Sequence, residues 1–243
     1  MKEFLRKILL QIPINLNQNI TYDRQAGEIL KKTTHQASDC IDIGCHKGEF
    51  LDLFLHQCPH GKHHGFEPIP YFYKQLQKNY GHRASIHPLC LSDKQGEIGF
   101  HLVKTNPAYS GILQRKFDRP DEEVEIIKVP ADTLDHIMKS YPGKIDFIKI
   151  DVEGAEYKVL QGAKNTIAEH RPVIVFEFGM GAADIYGVTP AMMYTFFSNL
   201  NYHIGLMSDF LKNGSALSSE KFEDQFTRNK NYYFVAWPDQ IMT

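Results

Sequence analysis

The chain has 243 residues, enough for one full-sized core, and its 42% hydrophobic and 23% charged content is that of an ordinary soluble globular protein. A formal net charge of −2 gives no broad cationic field to draw in phosphate backbones, so no nucleic-acid partner is expected. The four cysteines, Cys40, Cys45, Cys58 and Cys90, contain no Cys-x-x-Cys pair and lack the density of a secreted disulfide framework; reduced, buried thiols in a cytoplasmic protein are expected.

In chain order, residues 1–12 combine a basic start with apolar positions Phe4, Leu5, Ile8, Leu9 and Ile12 at helical spacing. Glu3, Arg6 and Lys7 interrupt them, and the apolar run Ile8 to Leu10 is too short for a secretory h-region or a membrane span. An amphipathic helix packed on the domain is expected, with a peripheral contact to a membrane surface as the alternative. A second helical pattern starts at Thr21 and repeats Ala26, Ile29 and Leu30 on one face. Tyr22, at its entry, is a candidate to cover a ligand, with a packing tyrosine as the plainer alternative.

Asp39 to Ile43 reads as a buried strand, Gly44 to Gly48 as a tight turn, and Lys47 to His56 as a helix. Glycines at such a turn let the backbone approach a ligand over a helix N-terminus. The histidine-rich turn Cys58 to His64 lacks carboxylates or paired cysteines at ligand spacing, so no metal is expected. A short second strand follows, His64 to Glu67, with Pro68 and Pro70 opening a helix over Tyr71 to Asn79. Glu67 lies about 20 residues past the glycine turn, the place where an acid accepts hydrogen bonds from ribose hydroxyls in a right-handed βαβ unit.

Ala84 to Leu91 reads as a third strand ended by Ser92 and Asp93, and Ile98 to Val103 as a return strand. The polar segment Asn106 to Phe117 is predicted to be a loop, and loops of that length are often functional. Val124 to Val129 is a strand and Thr133 to Tyr141 a helix. Lys144 to Asp151 is the clearest buried strand, and it runs into Val152-Glu153-Gly154-Ala155-Glu156. Val173 to Phe176 is a strand ending at Glu177; helix Pro190 to Leu200 and strands Tyr202 to Leu206 and Tyr232 to Ala236 complete the pattern. The charged stretch Asp209 to Asn231 is expected to be a mobile loop. This alternation predicts a parallel sheet covered on both faces, with one strand of the final hairpin antiparallel. Four strands end on acids, Asp42, Glu67, Asp151 and Glu177, and in an open α/β sheet such ends share one ligand-binding edge.

Asp42-Ile43-Gly44-Cys45-His46-Lys47-Gly48, Gly65-Phe66-Glu67-Pro68, Leu91-Ser92-Asp93 and Ile148-Lys149-Ile150-Asp151-Val152-Glu153-Gly154-Ala155-Glu156 together resemble the FkbM-type family of S-adenosylmethionine-dependent methyltransferases. Asp132-Thr133-Leu134-Asp135 and Gly162-Ala163 fit the same pattern, and the resemblance runs from about Tyr22 to Glu177. It implies an α/β fold, a Rossmann-like three-layer sandwich with a mostly parallel seven-stranded sheet. Residues 1–38 would form a helical extension packed on a methyltransferase domain of residues 39–243. It further implies S-adenosylmethionine bound at the Gly44–Gly48 turn. Asp42, Cys45, Pro68 and Asp151 would join the glycines there, with Glu67 on the ribose and Ser92 and Asp93 near the adenine. By the same resemblance Asp151 lies nearest the methyl group, and the acceptor is an oxygen on a sugar, glycan or secondary metabolite.

A hydroxyl is a poor nucleophile at neutral pH and gains from a general base, for which Asp151 and Glu153 are the candidates. Glu156 is assigned instead to the dipole of the following helix N-terminus. Tyr109, Ser110, Glu177 and Tyr186 are candidate acceptor contacts. Two rival readings remain: an NAD-dependent oxidoreductase, against which Asp42 occupies the place of the first fingerprint glycine, and a non-catalytic scaffold of the same fold.

Overall fold

The computed structural model describes residues 18–117 and 121–239. The helix expected over residues 1–12 lies outside the described residues. Helix α1 (Gln18–Thr33) starts three residues before the expected entry and buries Tyr22, Ala26, Ile29 and Leu30. Its apolar face packs into one layer of the core with Cys40, Phe54 and Phe147.

The central βαβ unit is β1 (Asp39–Ile43), α2 (Glu49–Gln57), β2 (His63–Phe66), α3 (Pro70–Tyr80) and β3 (Ala84–His87). The sheet is completed by β7 (Ile145–Ile150), β8 (Val173–Glu177), β9 (Tyr202–Leu206) and β10 (Tyr233–Pro238). Its seven strands run in the order β3-β2-β1-β7-β8-β10-β9. All neighbouring pairs from β3 to β8 are parallel, and β10 alone runs against its two neighbours. This is the Rossmann-like α/β architecture expected from the alternating pattern. Every residue of β1 is buried, as is all of β7 except Asp146, because helices cover both faces.

Three departures from the sequence reading have clear causes. The expected strand Ala84 to Leu91 is split: Pro88 has no N–H for the ladder, and β4 (Cys90–Leu91) leaves the main sheet. It joins β5 (Gly96–Val103) and β6 (Val124–Asp132) in a second, three-stranded sheet of order β4-β6-β5, where β5 and β6 form a long antiparallel ladder. That sheet packs Phe100, Val129 and Cys90 against Ile69 and Phe72 at the start of α3.

The third departure is the stretch Asp209 to Asn231, which is largely helical. After α4 (Leu134–Met138), α5 (Glu156–Gln161), α6 (Lys164–His170) and α7 (Pro190–Asn199) come α8 (Met207–Leu211) and α9 (Ser219–Thr227). Ser218 caps α9 by accepting from the Lys221 N–H, and Phe222 and Phe226, four residues apart, pack on Phe178. The charges seen in the sequence are the outer face of an amphipathic helix.

Candidate active site

The turn after β1 is built so that it cannot carry a side chain at its first position. Gly44 has φ +82°, and a Cβ there would overlap the Asp151 carbonyl of the neighbouring strand end. The Gly44 and Cys45 N–H groups both donate to the Phe66 carbonyl, and the Asp151 N–H donates to the Ile43 carbonyl. The ends of β1, β2 and β7 are therefore locked together at the turn. Gly48, at φ +88°, precedes α2, and a Cβ on it would run into the Tyr80 ring.

A cavity of about 2010 Å³ opens over this edge of the sheet. Common small-molecule pockets are roughly 300–1,000 Å³, so one nucleoside-sized ligand leaves room for a second molecule. Asp42, Glu67, Asp151 and Glu177, the four strand-end acids, all line it, as do Gly44, Cys45 and Pro68. Glu153, Tyr109 and Ser110 line it as well. Leu89, Cys90, Leu91 and Phe100 bring the second sheet to one wall.

The acids are not equivalent. Asp42 is 1% exposed, and burial pushes its carboxyl up to about 6 against the opposing pull of Lys149. Lys149 Nζ lies 3.2 Å from Asp42 Oδ1, while neither Asp42 oxygen has a hydrogen-bond partner of good geometry among the described residues. Glu67 Oε2 accepts from the His46 N–H at 2.8 Å and Oε1 from the Ile69 N–H at 2.9 Å. Each of its oxygens retains a lone pair, and burial raises the carboxyl to about 7. Asp151 Oδ2 accepts from the Tyr233 hydroxyl at 2.5 Å.

Asp151, Glu153 and Glu177 bring carboxylate oxygens within 4.8 Å of one another. Burial, reinforced by Asp151, raises Glu153 to about 8 despite an ion pair with Arg115, whose guanidinium also lies 4.8 Å from the Tyr109 ring centre. Burial and the neighbouring acids drive Glu177 well above its ordinary value, and its Oε2 has no hydrogen-bond partner among the described residues. Glu153 sits at φ +57° and Gly154 at φ +100°, in a turn held by Glu156, which accepts from the Val152 and Gly154 N–H groups. Glu156 thus acts on the backbone and does not line the cavity. Positive φ at a non-glycine residue is a strain that surrounding contacts must hold.

Five expected site residues, Gly48 among them, fall outside the cavity lining. Ser92 is buried and donates to Asp93 Oδ1, and Asp93 faces Lys158; neither reaches the cavity, and Leu89 to Leu91 form that wall instead. Tyr22 packs on the rings of Tyr232 and Tyr233 and donates to Asn231, so it supports the tyrosines that reach the cavity. Tyr186 accepts from the Leu113 N–H and so anchors the loop after β5. Ser110 lines the cavity, but its hydroxyl is engaged by the Val103 N–H. The residues that sequence reasoning missed are Lys149, Tyr233 and Arg115. Lys149 left a signal: a lysine inside a strand buried on both faces requires an acidic partner.

Residues 42–204 match the methyltransferase FkbM domain family. The chain belongs to the FkbM methyltransferase family. It is 30% identical over 150 residues to the 2-O-methyltransferase NoeI of Sinorhizobium fredii, an alignment covering 54% of this chain and 59% of NoeI. The chain thus spans well under two thirds of that relative. The crystal structure of the FkbM methyltransferase from Methylobacillus flagellatus superposes with a TM-score of 0.51 at 15% identity, covering 96% of this chain and 57% of that one. The FkbM fold is therefore shared across most of the present chain. No helix among the described residues is long and apolar enough to cross a membrane.

Proposed function

We propose that the protein is an S-adenosylmethionine-dependent O-methyltransferase acting on a hydroxyl of a sugar, glycan or secondary metabolite. One observation carries this reading: Asp42, Glu67, Asp151 and Glu177 converge with the Gly44 turn in one cavity large enough for donor and acceptor. The residues suit the donor. Asp42 and Glu177 each hold a buried oxygen without a hydrogen-bond partner, facing where a cationic amino-acid end and an acceptor would lie. Glu67 keeps lone pairs for ribose hydroxyls, and the bare Gly44 backbone admits close approach. Leu89, Cys90 and Leu91, rather than Ser92 and Asp93, supply an apolar wall for the adenine.

When bound, S-adenosylmethionine supplies a methyl group already activated on a sulfonium. The protein's remaining tasks are alignment, exclusion of water and removal of the acceptor proton. Glu153, at about 8, is poised to accept that proton near neutrality, with Arg115 fixing its carboxylate. Asp151, held by Tyr233 and Lys149, would orient the acceptor oxygen toward the sulfonium methyl. Tyr109 and Glu177 flank this end of the cavity, and Tyr186 holds the loop that carries Leu113. A cytoplasmic location, and a division of the chain into an extension (residues 1–38) and a methyltransferase domain (residues 39–243), belong to the same proposal.

Calorimetry with S-adenosylmethionine and NAD, followed by methyl transfer to a panel of hydroxylated acceptors, tests the reading. Binding of S-adenosylmethionine without NAD binding, and transfer lost in Glu153→Gln, are expected. Tight NAD binding with no response to S-adenosylmethionine overturns it.

A further inference from the structure

Position 149 is the next-to-last residue of the buried strand β7, yet it carries a lysine that is 5% exposed. In the parallel ladder Lys149 is the direct register partner of Asp42 on β1. Residues two apart on a strand share a face, so Lys149 also points to the side from which Asp151 extends. Its Nζ lies 3.2 Å from Asp42, 3.7 Å from Asp151 Oδ2, and donates to the Gly44 carbonyl at 2.8 Å. The Phe50 ring, 5.6 Å from Nζ, closes the remaining side. One ammonium therefore joins the strand-end acid, the glycine turn and the acid of the following motif.

We propose that Lys149 is the positioning residue of the donor pocket: its ammonium holds Asp42 ionised, pairs with Asp151 and fixes the Gly44 turn, so that a preformed anionic wall meets the ammonium of the donor's amino-acid end. The inference rests on the methyl-donor reading above. Its physical basis is the cost of ionising a buried acid. Asp42 is buried beside other acids, and without an adjacent cation its neutral form is favoured. A neutral Asp42 offers no charge to a cationic group.

The other charged or titratable groups around the lysine are mostly acids or neutral donors. Glu49 on α2 and Glu67 after β2 add negative charge, and Glu177 on β8 lies beyond Asp151. Tyr233 on β10 donates to Asp151, Asp23 on α1 lies near that tyrosine, and the Cys45 thiol is held protonated by burial. His46 and Lys47 are the other basic groups in the turn, and burial disfavours protonation of His46. Lys149 alone touches both acids among the described cations.

The test compares wild type, Lys149→Met, Lys149→Arg and the double variant Asp42→Asn/Lys149→Met. S-adenosylhomocysteine binding is measured by calorimetry from pH 5.5 to 9, and the Asp42 side-chain carbon is titrated by NMR without ligand. In Lys149→Met the Asp42 midpoint is expected to move up by at least one pH unit from about 6. Affinity is expected to fall at least tenfold at pH 7 and to recover partly at pH 9, and Lys149→Arg is expected to restore much of it. If Lys149→Met does not fold, the double variant, which removes the Asp42 charge together with the lysine, decides. It is expected to fold and to lose the step in affinity near pH 6. An unchanged Asp42 midpoint, an equal loss of affinity at every pH, or a double variant keeping that step overturns the proposal. If wild type binds no S-adenosylhomocysteine at any pH, the methyl-donor reading fails, while the ligand-free titration still decides the role of Lys149.

Discussion

The Tyr233 hydroxyl, on the one antiparallel strand of the sheet, donates to Asp151 Oδ2 at 2.5 Å, joining residues 82 positions apart. Tyr233 is half-buried, and desolvation of its hydroxyl together with Asp151 raises the cost of its ionisation, so the phenol stays a donor throughout the working pH range. Tyr233→Phe removes this bond but keeps the ring against Tyr22. A stability loss of about 1 kcal/mol is expected from urea unfolding. Methyl transfer should fall roughly tenfold in kcat with little change in donor affinity.

Gly44→Ala meets the Asp151 carbonyl and imposes an unfavourable positive φ. The expected cost is on the order of 3 kcal/mol, together with loss of S-adenosylhomocysteine binding in calorimetry. Gly99→Ala, on β5, meets only an ordinary contact with Ile126 and should change stability by less than about 1 kcal/mol.

Donor affinity should depend on pH through Asp42 and Glu67. Both carboxyls are raised by burial, to about 6 and about 7, so ionising either costs more in the folded protein than in the unfolded chain. Their contribution to stability is complete below the unfolded carboxylate range and declines as pH rises through 6 and 7. On the proposed function, the ammonium and ribose hydroxyls of the ligand favour the ionised forms. S-adenosylhomocysteine should therefore bind more tightly as pH climbs from 5.5 to 8, by up to about tenfold per unit for each group below its folded pKa. Glu67→Gln should flatten the upper part of that profile.

His64 Nδ1 and His87 Nε2 lie 3.2 Å apart across β2 and β3, and burial lowers both rings, His64 to about 4 with His87 adding to its fall. A lowered histidine stabilises the fold above the unfolded value near 6.5 and loses that contribution as pH falls from there toward 4. The raised acids act in the opposite sense over the same window, so the informative quantity is a difference between proteins. Between pH 6.5 and 4, His64→Gln should lose about 2 kcal/mol less stability than wild type in urea titrations.

Arg115→Ala releases Glu153 from its ion pair and takes a cation from the end of the cavity proposed to hold the acceptor. The acceptor KM is expected to rise roughly tenfold while S-adenosylhomocysteine affinity stays within about twofold.

The order of elements, the glycine turn and the four strand-end acids were legible in the sequence because each is local. A strand ending on an acid before a glycine has one geometric meaning in an alternating α/β chain. The helix α9 was hidden because its charges outnumber the two phenylalanines that bury it. Ser92 and Asp93 were adjacent to the right strand but missed the cavity, because Pro88 turns β4 into the second sheet.

The sequence by itself determined the fold class, the family and the acids Asp42, Glu67, Asp151 and Glu177, since spacing and periodicity act within one stretch of chain. Tertiary structure alone decided which groups touch those acids. Lys149 meets Asp42 through the register of β1 and β7, Tyr233 meets Asp151 because β10 is inserted antiparallel beside β8, and Arg115 meets Glu153 from a distant loop. Burial and partner charge set the protonation of a carboxylate, and both arise only when remote segments pack together.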